Sequence, residues 1–503
     1  MNENQDISRR LLDLAVTCGR KHKSTQTGYL HYCYNEQGDA PHLSIPTVEN
    51  FLFVLTLMKT RVADHVNEAK IMLEGLLHFQ NLSDDTIGFG NFPIYLHEFP
   101  QCKERFNSVQ IAITFYWILK LFHQVLGQQL KTRLEKAFTL LLKQCLRNHQ
   151  EKPAPYQIAV KIAAAAKMGG ALLNDIEIES QGSLLLKEIE HIKNPTAWYC
   201  PEAMGEILTG LAILHHSLKN SPWNDFWEHL QRTWHRQACC YVGPALKVGQ
   251  RRSEPQVTVY DLFLSSFSDT LSSRILKETP IHLKAALIPY SDNKLSIPSY
   301  PINYKGTIEG SSWQLHHDRD IAYSLIEQGQ LTFHSPQERE FHPLQIIWGD
   351  QERVHSFVCQ GGSCKNMVFS AEDPTTISLT FTLNDKVEVE DRDKNREITF
   401  AIDAFPGMHF LVSGEKSSTF RLNEPVLLKS GNHSLEIVFE RTEGEGRFIG
   451  HRNLGNRSSQ VETKGELRFQ AHDWLVFLRT ISRSEHCLLT AKITIAENDE
   501  ACI

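Results

Sequence analysis

The sequence predicts a multidomain protein of α and β structure: an N-terminal set of helical hairpins, closed as an α/α toroid or arranged as an irregular array, followed by a C-terminal antiparallel β-sandwich. Three observations predict it. At 503 residues the chain is too long for a single hydrophobic core. Up to residue 290 its apolar residues recur at helical spacing. Beyond that point they fall into short β-branched and aromatic runs, about ten residues apart, separated by Gly, Asn and Asp turns.

From Ile7 to Thr60 two apolar stripes (Leu11, Leu12, Leu14, Ala15, then Phe51, Val54, Leu55, Met58) predict two helices. The loop between them, Ser24 to Pro46, holds Tyr29, His31, Tyr32 and Tyr34. Ala63 to Gln80 reads as a third helix, with Val66, Ala69, Leu73, Leu76 and Leu77 on one side and the turn-forming NLSDD after it. Gly88 to Ser108, GFGNFPIYLHEFPQCKERFNS, then interrupts the helical region with a loop dense in aromatic, imidazole, carboxylate and amide groups. Ser108 is placed to cap a helix running to Phe122, and Gly127 divides that helix from one at Gln128 to Asn148. Helices follow at Tyr156 to Met168, Ser183 to Ile192, Ala197 to Leu218 and Pro222 to Cys240, and less clearly between Val257 and Leu287. About eleven or twelve helices joined by short turns, without a strict repeat motif, favour stacked hairpins over a four-helix bundle or a regular solenoid.

At Pro289, Pro298 and Pro301 the helical period ends, which sets a helical domain at 1–290 and a β domain at 291–503. The predicted strands are Gln345 to Trp348, Val354 to Val358, Thr376 to Leu383, Glu397 to Ile402, His409 to Val412, Ser434 to Phe439, Gly465 to Phe469, Trp474 to Arg479 and Leu488 to Ile495. ENDEACI ends the chain as an acidic tail.

Charge and cysteine usage narrow the partners. With 52 Lys+Arg against 59 Asp+Glu the net charge is −7, so the chain lacks the basic surplus that neutralises many phosphates, and nucleic acid is not an expected partner. The start, MNENQDISRR, lacks the apolar core of a secretory signal, and no apolar run reaches the length that spans a bilayer. Eleven Cys, an odd number without framework spacing, fit reduced thiols and a cytoplasmic location.

Several stretches carry chemistry. In the 88–108 loop, Tyr95, His97 and Glu98 lie close together, with Asn91 before them and Arg105 and Asn107 after. A phenol or imidazole can exchange a proton there while an amide or guanidinium stabilises a developing anion. Tyr156 opens one later helix, and Trp198, Tyr199 and Glu202 open another; in a ring of hairpins such starts gather at one end, where the aromatic faces can stack on a sugar or simply pack in the core. WQLHHDRD brings His316, His317 and Asp318 together ahead of His334, His342 and His355. These are zinc-binding types, but neighbouring strand residues point to opposite faces, so no metal is predicted, and no cofactor. CQGGSC, from Cys359 to Cys364, reads as a hairpin turn with two buried thiols. The absence of a phosphate-binding glycine loop, a GxSxG elbow and an HExxH motif argues against nucleotide hydrolysis, serine esterase chemistry and zincin proteolysis.

A helical hairpin domain followed by a β-sandwich resembles the toroid-plus-sandwich polysaccharide lyases, and more specifically the heparinase II/III-like proteins. FNS at Phe106 to Ser108, directly before a long apolar helix, is similar to the aromatic, Asn, Ser segment of many such proteins, and RDIAYSL from Arg319 with HPLQIIWGD from His342 resembles the first strands of their second domain. The resemblance implies that Asn107 helps neutralise a substrate carboxylate. Val109, Gln110 and Ile111 stand where the family has Pro, Thr and Tyr, and an HSHND-like strand segment has no clear counterpart.

Three functions follow as expectations. A lyase acting on a uronate-containing polysaccharide by β-elimination would use Asn107 or Arg105 on the carboxylate and Tyr95, His97 or Tyr199 as base, with Asn91, Glu98, Tyr156, Trp198 and Glu202 on the substrate. A glycoside hydrolase would instead set Glu98 against Glu202. A degenerate lyase fold would bind a glycan or protein without catalysis. Oligomeric state is left open.

Overall fold

The computed structural model describes residues 3–32, 44–83, 88–214, 217–248, 257–289, 293–327, 339–361, 364, 366–388, 396–402, 408–458 and 472–498. Tyr34, His334, the run from Gly465 to Phe469 and most of the acidic tail lie outside these residues. The chain forms two compact units: Met1–Glu228 with Val257–Asp269 and Ile275–Leu295, and His229–Gln256 with Thr270–Arg274 and Ser296–Ile503.

The first unit is helical. Its helices are α1 (Glu3–His22), α2 (Thr47–Lys59), α3 (Ala63–Leu76), α4 (Val109–Phe122), α5 (Gln128–Glu151), α6 (Tyr156–Leu173), α7 (Ile176–Glu190), α8 (Pro201–Leu214), α9 (Asn224–Thr233), which runs on into the second unit, and α10 (Val259–Ser268), followed by a 3₁₀ helix, Pro280–Leu287. Burial sorts them into two sets. Every residue of α2 from Thr47 to Met58 and all ten of α10 are buried, and α4, α6 and α8 are apolar around most of their circumference. By contrast α3 buries only Ala69, Met72, Leu73 and Leu76, and α7 only Ile178, Gly182, Leu185, Leu186 and Ile189, the one-sided stripe of a helix with a wet face.

The buried helices close a ring: α2 packs on α4, α4 on α6, α6 on α8, α8 on α10, α10 on the 3₁₀ helix, and that helix back on α2. The amphipathic helices lie outside, α3 against α2, α5 against α4 and α6, and α7 against α6. This unit is therefore the closed α/α toroid. Because the inner helices alternate with outer ones, they run the same way, and their N-termini share one mouth. The α6–α7 pair is the tightest crossing. A Cβ on Gly182 would lie 2.3 Å from the backbone nitrogen of Lys167, and one on Gly170 would lie 2.4 Å from that of Glu179. Gly182→Ala is therefore expected to lower stability by about 2 kcal/mol, measured as a shift of the urea midpoint, because backbone cannot move aside as a flexible side chain can. An unchanged midpoint would show that these helices separate freely.

Several helix boundaries differ from the sequence reading, among them the helix expected from Ala197 to Leu218, which is a 3₁₀ turn, Thr196–Tyr199, followed by α8, Pro201–Leu214. The helix expected from Ser183 begins at Ile176, because Asp175 caps it by accepting from Ile178 N at 3.1 Å. The helix expected to reach Cys240 stops at Thr233; Trp234–His235 then pairs with Cys240–Tyr241, and Val242 N donates to Thr233 O at 2.8 Å. The stretch from Val257 to Leu287 is broken after α10 by Asp269 in the left-handed region, φ 54°.

The second unit is antiparallel β. In its nine-stranded sheet the order is Thr419–Phe420, Gly446–Ser458, His472–Arg483, Arg396–Ile402, Val354–Gly361, Leu344–Gly349, Ile321–Ile326, Ser311–His317 and Ile302–Ile308; the six-stranded sheet runs Asn366–Asp373, Thr376–Leu383, Cys487–Glu497, His433–Glu443, Val426–Ser430 and His409–Val412. Strand Thr376–Leu383 shows the period-two pattern, with Ile377, Leu379, Phe381 and Leu383 buried and their neighbours half-buried. Contacts join the two sheets face to face: Phe400 meets Phe439 edge-on at 6.0 Å, and Trp348 Nε1 donates to Ser430 O at 2.7 Å. This is the expected sandwich.

Candidate functional site at the mouth of the helical ring

The 88–108 loop is built onto the starts of two inner helices. Thr47 N donates to Ile94 O and Leu96 N to Ile45 O, both at 2.9 Å, which fixes Tyr95 to Glu98 beside the start of α2. Ser108 Oγ, at the start of α4, accepts from Phe92 N and donates to Phe92 O, each at 3.3 Å. Between these ties the loop has its own polar frame. Asn91 is buried, and its amide donates to the carbonyls of Cys102 at 3.1 Å and Glu104 at 2.7 Å, so it holds the loop rather than facing out of it. Glu104 accepts from the backbone N–H groups of Phe106 and Asn107, closing the turn before α4.

The structure brings several predicted residues together. Tyr95 and His97 stack with ring centres 5.6 Å apart and planes 8° apart, and Glu98 accepts from Tyr95 N at 3.3 Å. His97 is exposed and Tyr95 half-buried. Arg105 is paired with Glu151 at 3.2 Å, while its carbonyl accepts from Asn148 at 2.8 Å, which ties it toward the end of α5. The Asn107 amide Nδ2 is buried and has no protein acceptor. At the start of α6, burial pushes the Tyr156 phenol well above the ordinary range, with the nearby Trp198 indole opposing it. Trp198 also packs on Phe226 at 5.2 Å. Tyr199 is buried, whereas Glu202 is exposed and accepts from Cys200 Sγ at 3.2 Å. Glu98 and Glu202 stand at the starts of α2 and α8, two ring members that are not neighbours.

Four residues absent from the sequence reading as a site meet further in. Lys161 in α6 donates to Glu206 in α8 and lies 3.4 Å from Gln110 Oε1 in α4, while Lys284 of the 3₁₀ helix donates to Glu206 at 2.6 Å. For two of them the signal was a charge inside an apolar run, Lys161 in IAVKIAAAA and Glu206 in AMGEILTG. At the other end of the ring, Lys59 donates to Ile288 O at 3.0 Å and lies 5.7 Å from the centre of the Trp117 ring. Burial brings Lys59 down to about 7, so it titrates near neutrality.

In the β unit His316 bonds Asn303 at 2.9 Å and stacks near Tyr323, while His317 bonds Arg232 O at 3.0 Å and lies against His235 and Tyr300. The two adjacent imidazoles thus have separate partners. Among the described residues no group of three or more His, Cys, Asp or Glu is arranged to hold a metal ion, and no helix is long and apolar enough to cross a membrane. Burial raises the thiols of Cys18, Cys102 and Cys145 to about 12.

No family model matches the sequence, and no curated protein matches it. Solved structures do. A xanthan lyase of Paenibacillus is similar with a TM-score of 0.51 and 8% identity, over 100% of this chain and 58% of that one. A chondroitin AC lyase of Streptomyces coelicolor A3 matches with a TM-score of 0.47 and 9% identity, over 98% of this chain and 80% of that one. A heparan sulfate lyase of Pedobacter heparinus gives 0.42 and 10%, over 98% and 84%. Fold similarity rests on the first of these, of which this chain spans little more than half. Closed toroid, two-sheet sandwich and this match agree: the chain has a divergent polysaccharide-lyase fold.

Proposed function

We propose that the chain binds an acidic polysaccharide at the N-terminal mouth of its inner ring and cleaves it by β-elimination next to a uronate carboxylate, in the manner of the heparinase II/III-like proteins that its FNS segment resembles. The observation that carries this reading is the Asn107 amide, a buried donor without a protein acceptor at the start of an inner helix. A carboxylate placed there would gain that hydrogen bond and the positive end of the α4 dipole. Arg105 is within the same turn, and its pairing with Glu151 is half-exposed, so the guanidinium is available to a second anion.

In the reaction the base removes the proton on the carbon next to the carboxylate, the electron pair forms a carbon–carbon double bond, and the β carbon–oxygen bond breaks, its oxygen leaving with a proton. Damping the carboxylate charge is what makes that carbon acidic enough. The stacked pair Tyr95 and His97 is our choice of base, since Tyr199 is buried within the helical core.

Incubation with a panel of uronate polysaccharides, followed at the ultraviolet absorbance of the unsaturated product, tests this. Absorbance is expected to rise with wild type, and Asn107→Ala is expected to slow it by about a hundredfold or more with little change in stability. Reducing ends without absorbance would replace the reading with hydrolysis by Glu98 and Glu202, and binding without turnover would make the chain a glycan-binding protein.

A further inference from the structure

Below the mouth, four of the six ring members send a side chain to one point: Gln110 from the first turn of α4, Lys161 from the second turn of α6, Glu206 from the second turn of α8, and Lys284 from the 3₁₀ helix. The 3₁₀ helix and α8 are separated in the ring by α10, so the Lys284–Glu206 bond crosses the interior. The cluster therefore sits about the axis of the ring.

Its composition is unbalanced. Two ammonium groups share one carboxylate, two positive charges against one negative. Each ammonium has three N–H donors. Lys161 uses one on Glu206 and one on Gln110, and Lys284 one on Glu206, while the Gln110 amide nitrogen has no acceptor although Gln110 is only 4% exposed. A purely structural ion pair would need one lysine, and a buried amide is ordinarily satisfied. Access remains, since the side chains of Glu206 and Lys284 are 19% and 21% exposed.

We propose that this cluster is an oxyanion-binding site, taking a carboxylate or sulfate group on the ammonium groups of Lys161 and Lys284 and the amide of Gln110, with Glu206 holding the two lysines in place. The site stands apart from the β-elimination reading, since the anion can be free or carried on a glycan.

The test is thermal unfolding of the full chain at constant ionic strength, with chloride replaced stepwise by sulfate, and separately with a uronate oligosaccharide. Sulfate raises the stability of most proteins without saturation. Saturation is therefore the first criterion and sensitivity to the variants the second. Wild type is expected to show a saturable rise in Tm, and Lys284→Gln and Gln110→Met each to weaken the dissociation constant by about tenfold or more. Both substitutions nearly conserve length, and the circular dichroism spectrum checks that each folds. An oligosaccharide that competes with sulfate would show that the group is carried on a glycan; saturation by sulfate with no effect of the oligosaccharide would show a free anion. Absence of saturation, or equal saturation in both variants, overturns the site. An oligosaccharide that binds wild type and variants alike without displacing sulfate would locate glycan binding at the mouth and leave this site to a free anion.

Discussion

Glu206→Gln is expected to lower the stability of the chain by about 3 kcal/mol, because it leaves two ammonium groups inside the ring with no counter-charge. Burial alone would raise the Glu206 carboxyl, yet Lys161 and Lys284 together outweigh it and hold the group well below the usual carboxylate range. Lys161 shows the other side of the coupling: burial, its largest influence, lowers its affinity for a proton, and Glu206 partly restores it. Its side chain is only 4% exposed, so the charge cannot simply turn to solvent when the carboxylate is removed. Lys161→Met on top of Glu206→Gln removes the stranded charge and is expected to regain much of the loss. Urea denaturation of the wild type, both single variants and the double variant gives the coupling directly. Strict additivity would mean that the two groups do not depend on each other.

The sequence made most of this architecture legible and little of this cluster. The inner helices were visible because a helix buried on all sides writes apolar residues around its whole circumference, as in Val109 to Leu119, and the sandwich because Thr376–Leu383 alternates residue by residue. Ring closure was expected from the run of hairpins but was not fixed by periodicity, which left an irregular array as the alternative. Closure depends on the 3₁₀ helix Pro280–Leu287 meeting both α10 and α2, and residues so far apart in the chain leave no periodic trace. The loop at Gly88 to Ser108 stood out by composition, but composition did not show that Asn91 is turned inward to the carbonyls of Cys102 and Glu104 while the amide of Asn107 is left without an acceptor. Lys161 and Glu206 come from helices whose hydrophobic pattern each of them interrupts only once, and only folding reveals that the two interruptions face each other.

The second large expectation concerns acid. His235 and His317 are fully buried in the β unit and stack with ring centres 5.1 Å apart. His235 Nδ1 accepts from Ala238 N at 3.1 Å, so its single proton is on Nε2, and His317 donates from Nδ1 to Arg232 O at 3.0 Å. His235 is thus neutral in the fold. Burial lowers His235 to about 3, with repulsion from His317 adding to it, and lowers His317 to about 4, where His316 adds and Asp318 and the Arg232 carbonyl oppose. The folded values lie below the ordinary value of about 6.5, so the unfolded chain binds more protons between them. Stability from these rings is therefore present above the unfolded value and lost as pH falls toward the folded ones. The loss from pH 7 to pH 5 is about 2 kcal/mol for each ring. Replacing both with Gln is expected to make the decline in urea-derived stability over that interval shallower by about 4 kcal/mol, even if the variant is less stable throughout. The slope, not the absolute stability, is the readout: a pH dependence identical to wild type would mean that the two rings already carry protons in the folded protein.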